Sequence, residues 1–127
     1  VRLLLDTHVL LWSAETPEKL SATARRELED ASNTLFFSAA SIWEIAIKIS
    51  VGKLHLSMSP GQLVESLANS DFTELPVASS HAAKVASIPL HHRDPFDRLL
   101  IAQAEIEQLS LVSKDTGLDV YGIRRLW

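Results

Sequence analysis

The chain has 127 residues, 46% of them hydrophobic and 22% charged, with no cysteine; it has room for a single domain over 1–127, and disulfide staples, thiolate metal sites and cysteine nucleophiles are excluded. Twelve Lys and Arg stand against sixteen Asp and Glu, a net charge of −4, which argues against a general polyanion binder, so any nucleic acid must be gripped locally or through a metal. No apolar run approaches the ~20 residues of a membrane helix, and Val1-Arg2-Leu3-Leu4-Leu5-Asp6 meets charge too early for a signal peptide, so a cytoplasmic protein without a membrane partner is expected.

Leu3-Leu4-Leu5 is a short continuous apolar run, the pattern of a strand buried on both faces, and it stops at Asp6-Thr7. A short helix is predicted over 8–14, and a second from near Ser21 to Asp30, where strong helix formers begin at Arg25. Thr34-Leu35-Phe36-Phe37-Ser38 predicts the second strand. Ser41 is placed at the start of the next helix, whose Ile42, Ile45, Ala46 and Ile49 recur at i, i+3, i+4 and i+7, with Gly52 just past its end. A helix follows over 60–68 with Pro in its first turn; 72–77, broken by Pro76, reads as a strand at a sheet edge or a strand end; 80–87 is a modest helix. Asp94-Pro95 supplies the N-cap and first position of a long helix reaching about Gln108, then 109–113 forms a buried strand and 123–126 a short last one. Strands alternating with helices imply an α/β fold: a central, mostly parallel sheet with helices on both faces.

In open parallel sheets, ligands bind beyond the carboxyl ends of the strands. Four acids fall there: Asp6 after the first strand, Glu44 one turn into the helix after Phe36-Phe37, Asp97 in the first turn of the 95–108 helix, and Asp115 after Leu111-Val112-Ser113. Each has an ordinary local explanation. Ser41-Ile42-Trp43-Glu44 fits a capping box, and Glu44 before Lys48 an exposed helix ion pair; Asp94 and Asp97 fit a cap and a dipole partner; Asp115 fits a turn and Asp6 a cap. Their common position on one rim is what those explanations leave unaccounted for. Crowded carboxylates need a compensating cation, and hard oxygen ligands without His or Cys at ligand spacing suit Mg2+ or Mn2+.

The same four segments resemble the PIN-domain ribonucleases, and within them the VapC-type toxins of bacterial toxin–antitoxin pairs. Leu3-Leu4-Leu5-Asp6-Thr7-His8-Val9-Leu10-Leu11-Trp12 is similar to the family's first-acid segment and Ser38-Ala39-Ala40-Ser41-Ile42-Trp43-Glu44-Ile45-Ala46-Ile47-Lys48 to its second. His92-Arg93-Asp94-Pro95-Phe96-Asp97-Arg98-Leu99-Leu100-Ile101-Ala102-Gln103-Ala104 resembles the third and Leu111-Val112-Ser113-Lys114-Asp115 the fourth. The resemblance implies a three-layer PIN-like fold and an Mg2+- or Mn2+-dependent endoribonuclease. It further implies that Asp6, Glu44, Asp97 and Asp115 hold the metal, that a metal-activated water hydrolyses RNA, and that the chain is a homodimer. A cognate antitoxin would occupy the acidic groove with a basic side chain. Asp97 rather than Asp94 matches the family's third acid, and Ser113 stands where the family often has Thr.

Thr7 and Ser113 are candidates to orient the carboxylates, and Arg98, Arg93 and Lys114, with Lys48, to hold phosphates. His8, His91 and His92 have no spacing that supports ligation, and Trp12, Trp43 and Trp127 are read as core or dimer contacts before base-stacking platforms. Mean hydropathy of +0.11 also points to apolar surface covered by a partner or to a well-filled core. A phosphoryl-signalling receiver domain would need paired acids after the first strand, where Asp6 is alone, and a haloacid-dehalogenase-type phosphatase would need a second Asp where His8 stands. A catalytically idle PIN-fold interaction protein is the remaining alternative.

Overall fold

The computed structural model describes all residues, 1–127, and no helix in it is long and apolar enough to cross a membrane. Five strands, β1 (Arg2–Leu5), β2 (Thr34–Ser38), β3 (Phe72–Leu75), β4 (Ser110–Val112) and β5 (Arg125–Leu126), form one sheet in the order β3-β2-β1-β4-β5, every neighbouring pair parallel. The all-apolar run of β1 follows from its central place: Leu3 and Leu5 face one layer and Leu4 the other, all fully buried. On the first side pack α1 (Thr7–Glu15), α2 (Ala22–Glu29), α3 (Ala39–Ser50) and α4 (Pro60–Asn69), bringing Val9, Leu10, Ala24, Ile45 and Leu63 onto the Leu3 and Leu5 face. On the other, α6 (Pro95–Glu107) brings Leu100, Ile101 and Ala104 against Leu4 and Leu111, with α5 (Ser79–Lys84) docked on it. Three 3-10 turns, 17–19, 85–87 and 116–121, complete the chain.

β3 stops at Leu75, one residue before Pro76, and lies at the sheet edge, where a residue without an N–H costs no ladder bond. Gly52 follows α3 with φ +76, a left-handed position that glycine adopts without steric cost. The predicted helix over 80–87 divides into α5 and a tighter 3-10 turn. The expected start of α3 is corrected. The helix begins at Ala39 with Ser38 as its cap, because the Ser38 hydroxyl at the end of β2 accepts the Ala40 N–H at 3.0 Å while donating to Gln103 Oε1 on α6 at 2.6 Å. Ser41 is thus inside the helix, and the Ser41–Glu44 capping box does not form.

Candidate active site

At the carboxyl end of β1 the chain turns straight into α1. Asp6 caps that helix, its Oδ1 accepting the Val9 N–H at 2.8 Å, while its backbone N–H extends the ladder to Val112 O. Only 9% exposed, its carboxyl is pushed above the ordinary range by burial and further by Asp115; the Ser113 hydroxyl, the Val9 N–H and His8 partly offset this.

Glu44 enters from α3 and is 5% exposed. Its two oxygens are separately held: the Thr7 hydroxyl donates to Oε1 at 2.8 Å and Lys48 Nζ pairs with Oε2 at 2.8 Å. Ser41 Oγ lies 3.0 Å from Thr7 Oγ1, and since the Thr7 proton goes to the carboxylate, Ser41 is left to donate to Thr7. The i, i+4 ion pair expected at an exposed helix surface therefore forms with its acid buried. An ion pair on a half-open lysine and an enclosed glutamate leaves the carboxylate inward, toward the sheet end.

α6 contributes the third acid. Asp94 caps the helix, accepting the Phe96 N–H at 2.8 Å and the Asp97 N–H at 3.3 Å, which leaves the Asp97 side chain free of capping duty. Burial raises the Asp97 carboxyl to about 6, with added repulsion from Asp94, Glu44 and Asp6, and His92 opposing. Asp115, half exposed, caps the 116–121 turn by accepting the Gly117 N–H at 2.9 Å, and its Oδ2 lies 3.4 Å from His92 Nε2. A Cβ on Gly117 would come within 3.0 Å of Asp115 Oδ1 and 3.3 Å of His92 Nε2, so the turn packs tightly on this pair.

All four acids line one cleft of about 380 Å³. No three acidic or histidine side chains converge on a single ready-made ion position. The donor set fits a hard divalent cation through its chemistry: carboxylate oxygens alone, and mutual repulsion that an ion would relieve.

Thr7 and Ser113, 6% and 0% exposed, stand beside the acids. Lys114 lines the cleft and Arg93 is exposed outside its lining. Arg98, expected among phosphate ligands, turns away: its guanidinium donates to the carbonyls of Val85, Ile88 and Pro89, all at 3.0 Å, and fastens the 85–89 segment to α6. His92 joins two loops, its Nδ1 3.0 Å from the Tyr121 hydroxyl, and His91 meets the same ring edge-on at 5.2 Å. His92 and Tyr121 thus support Asp115, a role that no spacing in the sequence announces. Gln103 was equally silent except as a polar residue inside the apolar 99–104 run.

The PIN domain family matches the chain over residues 3–123. Ribonuclease VapC22 of Mycobacterium tuberculosis (strain ATCC 25618 / H37Rv) is 32% identical over 116 residues, covering 91% of this chain and 88% of that protein. The fold is similar to the crystal structure of VapBC2 from Rickettsia felis bound to a DNA fragment from their promoter, with a TM-score of 0.73 and 14% identity over 98% of this chain and 97% of that one. It is also similar to VapBC-1 from nontypeable Haemophilus influenzae, with a TM-score of 0.65 and 14% identity over 98% and 96%.

Proposed function

The chain belongs to the PIN-domain family, in its VapC-type ribonuclease branch, and from that premise we propose that it is an Mg2+- or Mn2+-dependent endoribonuclease acting as the toxin of a toxin–antitoxin pair. The observation that carries the metal-dependent chemistry is the meeting of Asp6, Glu44, Asp97 and Asp115, from four separate chain exits, in one cleft where burial and mutual repulsion raise Asp6 and Asp97. Asp6, Glu44 and Asp97 would hold the principal ion, and Asp115 a second ion or its water shell. When bound, the ion supplies an activated water and offsets charge building on the nonbridging phosphate oxygens.

The chain's own groups do the positioning. Thr7 fixes one Glu44 oxygen and Lys48 the other, so the buried carboxylate keeps one orientation. Ser113 sits against Asp6, and His92 beside Asp115. Asp97 must give up its proton to serve as a ligand. Lys114 and Arg93 remain the candidates for phosphate contact, whereas Arg98 is taken up by three carbonyls.

Asp6→Asn is expected to abolish RNA cleavage in Mg2+ or Mn2+ while leaving the circular dichroism spectrum unchanged. Full activity in that variant would refute the assignment. A cognate antitoxin is proposed as partner, supported by the VapBC complexes whose toxin fold this chain shares. Expression of the chain alone should arrest growth, and co-expression with a small DNA-binding protein encoded beside it should restore growth. A homodimer is supported by an uncovered stripe along α3 and its C-cap: Trp43, Ile47 and Val51, spaced four residues apart and 61%, 37% and 60% exposed, with Phe96 edge-on to Trp43 at 5.3 Å.

A further inference from the structure

We propose that His8 and Trp12 form a stacking platform for an unpaired base of the RNA strand, next to the phosphodiester that the acids address; the inference rests on the ribonuclease function proposed above. The two residues are one turn apart on α1, their ring centroids 5.9 Å apart with planes tilted by 44°, and both line the acidic cleft. His8 is exposed and Trp12 only partly covered. Behind them, Trp127 meets Trp12 at 5.7 Å, and Trp12 also packs on the core cluster below, so the indole is held in place before any ligand arrives. α1 begins at the residue after Asp6, which couples the platform to the first acid through one short helix.

The charge of the cleft explains why such a platform is needed. Asp6, Glu44, Asp94, Asp97 and Asp115 line it against Lys48 and Lys114, and Lys48 is already paired with Glu44. That leaves Lys114 as the one unpaired cation in the lining to meet phosphates flanking the cut, so the strand requires a further grip by groups indifferent to charge. Stacking meets that requirement, because every base presents a π-face. Trp12 is the one large aromatic ring among the lining residues, in a cleft whose other walls are mostly polar. The substrate class that fits is single-stranded RNA, or a loop whose bases are splayed out, since a base paired in a duplex has no free face.

The test compares a short fluorescein-labelled single-stranded RNA of mixed sequence with an abasic ribose-phosphate chain of the same length, by anisotropy in Ca2+. The wild type should bind the base-bearing strand roughly ten- to a hundredfold tighter than the abasic one. Trp12→Ala and His8→Ala should each lower that ratio, and Trp12→Phe should largely keep it. Equal binding of the two strands by the wild type, or an undiminished ratio in both alanine variants, overturns the platform. Should Trp12→Ala unfold through loss of its packing on Trp127, His8→Ala, an exposed position, decides alone. Cleavage of total RNA by the wild type in Mg2+ or Mn2+ is assayed in parallel. No cleavage there refutes the ribonuclease function, whereas cleavage with an unmoved ratio refutes the platform alone.

Discussion

Asp97 is the carboxyl on which the repulsion in the cleft converges, and its ionisation near pH 6 has two consequences of opposite sign. For metal binding the proton is a competitor: below about pH 6 the neutral acid predominates, so metal-dependent cleavage at a fixed, sub-saturating Mg2+ concentration should fall as the pH drops through that value, and raising Mg2+ toward saturation should move the fall to lower pH. For the metal-free fold the ionised form is the burden. A carboxyl that ionises less readily folded than unfolded destabilises the native state above its folded pKa, and the penalty fades as the pH falls toward the ordinary value of 3.8. Asp97→Asn removes it. After discounting for partial solvent screening, the variant in EDTA at pH 7 should be more stable by about 1 kcal/mol in urea denaturation, with the difference vanishing near pH 4. Added Mg2+ should reverse the order, raising the melting temperature of the wild type and not of the variant.

At the scale of elements, the junction between β2 and α3 is the most heavily determined corner near the site. Ser38 is fully buried, caps α3 and donates to the buried Gln103 of α6, which also donates to the Pro76 carbonyl. Ser38→Ala removes a cap and leaves the Gln103 oxygen without its donor, so a loss of about 2 kcal/mol in urea denaturation is expected, with cleavage per folded molecule also reduced because α3 carries Glu44. This corner also shows where sequence is informative and where it stops. β1, β2 and the Asp94-Pro95 start of α6 are legible because apolar runs and Pro or Asp punctuation are local signals. The start of α3 is not, since Ser38 and Ser41 are equally good caps in isolation and the choice depends on Gln103, distant in the chain. Arg98 illustrates the same limit: its place beside an acid suggests phosphate contact, but three carbonyls of a loop nine to thirteen residues upstream claim its donors. The four acids are legible as one group because parallel strands deliver their ends to one rim, a rule of topology and not of neighbouring residues.

For the whole molecule, the uncovered stripe of Trp43, Ile47 and Val51 is the surface on which the dimer proposal rests. Trp43→Glu should convert a dimer into a monomer in sedimentation equilibrium, and a wild type that is monomeric at tens of micromolar would remove the dimer proposal. The sheet order, with β1 at the centre, has a consequence for how the protein comes into being. β1 is the first strand made, yet one of its two neighbours, β4, is among the last, and the fourth acid lies beyond it. On the ribosome, Asp6 and Glu44 emerge long before Asp115, and the central strand waits with one edge open until a distant segment arrives to pair with it. The order of synthesis therefore means that the cleft cannot be completed until β4 and the segment carrying Asp115 have left the ribosome.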